Sequence, residues 1–353
     1  MVTFSAQAIK IQTPVISQPK TKNQMTRSKN GISSTGLTFV VTVAVDILYL
    51  ELPIHFQAVI NFAENGKISL SLCYYTEWSC NSCVNPGEGE WIMLELISRR
   101  PAIKTQPIPL LFVHGAWHAA WCWDEYFLPY FADHGYEAHA VSLRGHGGSP
   151  GPKRLSWVSA ADYVADVATV AQEFAASPVI IGHSMGGFVV QKYLERYFAP
   201  AAVLLASAPP KPILRTTFAV IRRAPLAFLR VNLGLNLYPV VGTPELARTF
   251  LFSADMPAEK VAAYHGRLQA ESYRVYLEML GLSLPHPARV KTPVLVLGAA
   301  NDAVFSVAEV EETAAAYNTQ ARIVPNMAHD MMLEAGWQAV ADSILAWLGS
   351  ELP

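Results

Sequence analysis

The chain has 353 residues, of which 52% are hydrophobic and 15% charged, with a formal net charge of −2. That composition supports a large buried core and excludes a mostly disordered chain. With no basic stripe in the body of the chain, nucleic acid is excluded as the expected partner.

Residues 1–90 differ in texture from the rest and are expected to form an N-terminal extension, poorly ordered or dispensable. Lys10, Lys20, Lys22, Arg27 and Lys29 occur in the first thirty residues without an acidic residue. The apolar run Leu37–Val45 is soon interrupted by Asp46 and Glu51, too short for a membrane span. Cys80 and Cys83 form a lone C-x-x-C, and His55 is the only histidine before His114. A zinc site needs about four ligands, so Cys73, Cys80, Cys83 and Cys122 are read as free thiols of a reducing compartment. A cytoplasmic location is the default expectation. The abrupt change of pattern at Trp91 makes Met93 a candidate functional start.

From Trp91 onward apolar runs alternate with helical patterns, the signature of βαβ units around a parallel sheet. Strands are expected at Ile92–Ser98, Ile108–Val113, Glu137–Leu143, Val179–Gly182, Ala201–Ala206, Val294–Leu297 and Arg322–Val324. Helices are expected at Trp121–His134, Ala160–Ala175, Gly186–Phe198 and Trp337–Leu348. Between about 210 and 290 helical patterns occur without a convincing strand, mixing Phe218, Phe228, Leu229, Leu233, Leu235 and Leu237 with Arg215, Arg222, Arg223 and Arg230. An insertion of this length between two strands is expected to form a helical cap over a site.

Gly182-His183-Ser184-Met185-Gly186 fits G-x-S-x-G between an apolar run and a helical pattern. Such a turn holds serine in a strained conformation with its hydroxyl exposed, and the flanking glycines avoid neighbouring backbone. A free serine hydroxyl needs an adjacent base to act as a nucleophile. His329 follows the last strand and is the expected base; His183, His265, His286 and His146 are weaker candidates. Asp302, on the loop after Val294–Gly298, is the expected orienting acid, with a helix N-cap as its alternative role. The segment after Ser207, Ala208-Pro209-Pro210-Lys211-Pro212, offers no carboxylate. Asp330 neighbours His329 and is expected to point away from it. The order Ser184, Asp302, His329 suits this architecture. His114-Gly115-Ala116-Trp117 follows an early strand, so the amides of Ala116 and Met185 are the expected oxyanion donors, with Trp117 in reserve. His114 is expected to pin that loop.

On His114-Gly115, Arg144-Gly145-His146-Gly147, the Ser184 motif, Gly298–Asp302 and His329, the chain resembles the α/β-hydrolase superfamily from about Glu95 to Leu348. It is most similar to small esterases and lipase-like enzymes. His114–Trp117 and Ala120–Trp123 also resemble plant methylesterases and hydroxynitrile lyases. The resemblance implies an α/β domain over 91–353: a mostly parallel eight-stranded sheet with helices on both faces and an inserted helical cap. It implies hydrolysis of a small-molecule carboxylic ester through an acyl-enzyme, without metal or cofactor. The apolar insertion, Trp117, Trp121 and Trp123 favour a lipophilic acyl or aromatic group. Three other readings stay open: a lyase using a cap lysine, Lys211 or Lys260; a carbon–carbon bond hydrolase; and a non-catalytic receptor on the same fold.

Overall fold

Five strands between Leu110 and Ala299 are buried along their whole length, because each is a short apolar run flanked by turn or helix signals. The computed structural model describes residues 92–352 and, upstream, the backbone of four strands. Two compact units divide at Asn81 and Ser82. In the first, β1 (Thr38–Val43) pairs antiparallel with β2 (Ile54–Phe62), and β2 with β3 (Ile68–Thr76). The strand β4 (Ser79–Val84) follows. The side chains of Cys73, Cys80 and Cys83, and most of the expected extension, lie outside the described residues.

The second unit holds β5 (Ile92–Arg99), β6 (Leu110–Val113), β7 (Ala138–Val141), β8 (Val179–His183), β9 (Ala202–Leu205), β10 (Val294–Ala299) and β11 (Ala321–Val324). Their order is β5-β7-β6-β8-β9-β10-β11. Only the β5–β7 pair among them is antiparallel. Seven strands were legible in the apolar pattern and seven form this sheet; the eighth, implied by resemblance alone, is not among them.

The chain steps from β6 to β7 in one direction and to β8 in the other. The loops after β6 and β8 therefore diverge at a topological switch point, where the carboxyl ends of strands leave a crevice. Helices α1 (Trp121–Asp124) and α2 (Phe127–Asp133) replace the single helix expected over Trp121–His134. Pro129 explains the break: its ring excludes the carbonyl four residues back, so the helix restarts with Pro129 in the first turn. Phe112, Trp123, Phe127 and Phe131 form a fully buried aromatic cluster, with Phe112 and Trp123 centroids 5.0 Å apart.

Helix α3 (Ala160–Gln172) starts at a Ser159–Asp162 capping box and packs on α4 (Met185–Leu194). Over the expected cap region run α5 (Leu214–Arg223), α6 (Pro225–Gly234), α7 (Pro244–Leu251), α8 (Ala258–His265) and α9 (Tyr273–Leu277). Helices α10 (Val307–Ala316) and α11 (Trp337–Glu351) complete the unit.

Candidate active site

Strand β8 ends at His183 and α4 begins at Met185, leaving Ser184 alone to turn the chain. Its backbone is left-handed (φ 53°, ψ −119°), which costs a non-glycine residue about 1–3 kcal/mol. Hydrogen bonds hold it there: the Ser184 amide donates to Leu205 O (3.1 Å), and its carbonyl accepts from the Ala208 amide (3.1 Å). The flanking glycines are sterically required. A Cβ at Gly186 would overlap the carbonyl oxygens of His114 and Val113, and one at Gly182 would lie 2.6 Å from Gly186 O.

His329 Nε2 lies 2.9 Å from Ser184 Oγ, and His329 Nδ1 lies 2.8 Å from Asp302 Oδ2. The structure thus brings the three expected residues into one buried hydrogen-bonded chain. Burial opposes charge on the His329 imidazole, but Asp302, with help from Asp330, raises its pKa above the ordinary histidine value. Asp302 is not a helix N-cap, since Ser306 caps α10 (Val307–Ala316), but it braces the loop before that helix as well as the imidazole. Its Oδ1 accepts from the amides of Val304 (2.6 Å) and Phe305 (3.0 Å), and its Oδ2 receives the imidazole.

Ala116 and Met185 line the same cavity as Ser184. Met185 is the first residue of α4, so its amide has no intrahelical acceptor. Trp117, the reserve donor, also lines the cavity; its backbone is left-handed (φ 68°) and its carbonyl accepts from the Gln269 amide (2.9 Å). Trp121 instead stacks on Tyr264 under the Arg267 guanidinium, and Trp123 belongs to the core.

The other histidines brace the site. His114 pins the loop: its Nε2 accepts from the Leu143 amide (3.0 Å), leaving Nδ1 to donate to Gly115 O (2.8 Å). Burial, and then His146, push its pKa well below the ordinary value. His183 Nε2 donates to the His329 carbonyl (3.0 Å). Burial, and then His329, lower its pKa to about 3, so it is neutral. His146 is buried 3.2 Å from Glu271 in the loop that Arg144 anchors on Asp166. Burial lowers and Glu271 raises the His146 pKa, and the rise prevails.

Sequence reasoning missed the pair formed by His118 and Asp330. Asp330 is expected to point away from the base; its buried carboxylate instead lies within 4.8 Å of His329, 3.0 Å from His118 Nε2 and 3.8 Å from His183 Nε2. Burial pushes this carboxyl up, yet His118, followed by His183 and His329, holds it below the ordinary aspartate value. His118 Nδ1 in turn donates to Ala116 O (2.8 Å), so the pair ties the loop after β6 to the loop carrying His329. His183, His329 and Asp330 offer nitrogen and oxygen atoms within 4.8 Å of one another. His329 is already bonded on both ring nitrogens, to Asp302 and to Ser184, which leaves His183 and Asp330 as at most two ligands, too few for a metal site.

The cavity above Ser184 has a volume of about 650 Å³ including its open mouth, and its walls are apolar. Helix α5 contributes Thr216, Thr217 and Val220, and α6 contributes Phe228 and Val231. The polar groups in these walls are turned to local partners: Thr216 Oγ1 donates to Val304 O (2.7 Å) and Thr217 Oγ1 to Ile213 O (3.0 Å). Neither cap lysine lines the cavity. Lys211 pairs with Glu312, and Lys260 reaches Tyr126 Oη (3.2 Å).

The profile of the alpha/beta hydrolase family matches residues 110–343. A monoacylglycerol lipase of Mycolicibacterium smegmatis is 27% identical over 63% of this chain and 81% of its own length. Among solved structures, a thermophilic esterase from Thermogutta terrifontis superposes with a TM-score of 0.58 at 19% identity, over 78% of this chain and 99% of its own. An esterase from Rhodococcus sp. ECU1013 gives 0.59 at 19% identity, over 77% and 98%. With a profile match from β6 into α11, on a sheet carrying Ser184 at its switch point, the chain belongs to the alpha/beta hydrolase family.

Proposed function

We propose that the protein is a serine hydrolase cleaving carboxylic esters with an apolar acyl or aromatic group. The observation that carries this reading is the Asp302–His329–Ser184 hydrogen-bonded chain ending in an apolar cavity. His329 Nε2 takes the proton of Ser184 Oγ as the oxygen attacks the ester carbonyl carbon. Asp302 fixes the imidazole tautomer and stabilises the imidazolium. The Ala116 and Met185 amides receive the oxyanion, and the α4 dipole favours the negative charge. The tetrahedral intermediate collapses, the leaving alcohol takes the proton from His329, and water repeats the sequence on the acyl-enzyme. The relatives called monoacylglycerol lipase and esterase fit the same reaction.

Ester hydrolysis is favoured over lysine-dependent lyase chemistry because the cavity-lining residues include no lysine. Apolar walls with internally bonded hydroxyls give no site for a charged acyl group, and burying one unpaired would cost several kcal/mol. The test combines a fluorophosphonate probe with p-nitrophenyl esters of increasing chain length. Wild type is labelled and turns over the panel. Ser184→Ala loses labelling and at least roughly 10⁴-fold in rate. Full labelling of Ser184→Ala, or ligand binding by wild type without turnover, overturns the assignment.

A further inference from the structure

The outer face of the α5–α6 hairpin is apolar and cationic, and it has no partner among the described residues. Helix α6 exposes Leu226 (70%), Leu229 (53%) and Leu233 (78%), with Arg230 beside them. Positions 226, 229, 230 and 233 follow i, i+3, i+4, i+7, so they form one stripe along the helix. The opposite face of α6 turns Phe228 and Val231 to the cavity. A helix apolar on both faces is expected in an interior, yet one face of this helix meets solvent. Helix α5 repeats the pattern, with Leu214 (53% exposed), Phe218 (66%) and Arg222 spaced four apart on its outer side. Isolated exposed leucines need no explanation, but an exposed apolar stripe on each of two packed helices marks an interaction surface.

Charge identifies the partner. Residues 211–244 contain Lys211, Arg215, Arg222, Arg223 and Arg230 and no aspartate or glutamate, within a chain of net charge −2. Lys211 and Arg215 are satisfied by Glu312 and Glu309. Arg222, Arg223 and Arg230 are exposed and have no acidic partner among the described residues. Leucine and phenylalanine flanked by arginine compose an interfacial helix, whose apolar side chains enter the acyl boundary while guanidinium groups meet lipid phosphates. A second copy fits poorly, because a twofold contact would set these arginines against one another with no acid on the hairpin to receive them.

We infer that the outer face of α5–α6 docks the protein on anionic phospholipid bilayers. The docking face and the cavity wall are then two sides of the same helices. A lipophilic substrate dissolved in the bilayer would reach Ser184 past side chains of the elements that hold the protein at the membrane. The docking claim rests on the surface alone; the route for substrate also rests on the esterase reading.

Vesicle sedimentation of the full chain tests the inference, using phosphatidylcholine alone and a two-to-one mixture with phosphatidylglycerol. Wild type and Ser184→Ala should both sediment with the anionic vesicles and far less with the neutral ones. Combined Arg222→Gln, Arg223→Gln and Arg230→Gln should lower partitioning roughly a hundredfold, each arginine being worth about fivefold. Combined Phe218→Ser, Leu229→Ser and Leu233→Ser should lower it at least roughly tenfold. Both variants should keep wild-type turnover of a water-soluble acetate ester, showing that they fold. The arginine variant tests the inference even if the serine variant does not fold. Absence of binding to either vesicle overturns the inference, as does equal binding to both that survives loss of the arginines. A wild-type dimer that dissociates in the serine variant, without vesicle binding, assigns the face to a second copy instead. Vesicle binding by a protein that hydrolyses no ester leaves docking intact and removes only the esterase reading.

Discussion

Replacing Asp330 by asparagine separates the electrostatics of the site from its packing. The substitution keeps the shape of a fully buried side chain and removes one negative charge beside His118 and His183. Asparagine can still accept from His118, so the cost should lie near the lower end for a broken buried ion pair, about 3 kcal/mol. For a domain of this size that lowers Tm by about 6–12 °C at neutral pH. The Asp330 pKa is depressed on folding, so its contribution is present above the unfolded value, near about pH 4, and is lost as pH falls through the folded value. The Tm gap between wild type and variant should therefore close in acid. The second effect is kinetic. Asp330 helps to raise the His329 pKa, and its carboxylate lies within 4.8 Å of His329. At an effective dielectric constant of about 20, a unit charge at that separation is worth roughly 3 kcal/mol. Because His329 acts as a base only when neutral, removing the charge should move the acid limb of kcat/KM to lower pH. The assay is a pH profile on a p-nitrophenyl ester, with thermal melts at each pH. An acid limb that stays in place, or moves upward, while Tm falls would refute the electrostatic reasoning and leave Asp330 a packing residue.

Three further outcomes follow from the geometry. Gly186→Ala should destabilise the protein by roughly 2–3 kcal/mol and abolish turnover, because the new methyl overlaps two carbonyl oxygens of the neighbouring strand and loop; thermal melts and ester assays read it. Asp166→Asn should cost about 3–5 kcal/mol, visible as a Tm fall of about 6–20 °C, since it strips a buried guanidinium of its carboxylate. Val220→Trp should fill the cavity beside α5 and lower kcat/KM for long acyl esters at least roughly tenfold, leaving the acetate nearly unchanged.

The site's linear order was legible because each element signals locally. Ser184 sits in a five-residue pattern between an apolar run and a helix, while Asp302 and His329 follow apolar strands. Helix α10 was legible and overlooked: Ser306 and Glu309 form a capping box three residues apart. The break between α1 and α2 could likewise be read from Pro129. The His118–Asp330 pair could not. The loops after β6 and β11 were expected to converge on Ser184, but no local pattern around His118 or Asp330 indicates that these two side chains pair there. The same holds for His146 and Glu271, which join a loop of the sheet to the helical insertion. Composition showed that the α5–α6 segment is apolar and basic, but which side chains face solvent depends on how its helices lie on the body.

The bond from His183 to the His329 carbonyl has a consequence for motion. His183 precedes the nucleophile, and the carbonyl belongs to the base, so the backbone on either side of the reacting pair is directly linked. Displacing the loop after β11 without the elbow would break this bond as well as the one between His329 Nε2 and Ser184 Oγ. The linkage thus makes the spacing of proton donor and acceptor depend on two bonds between the same loops.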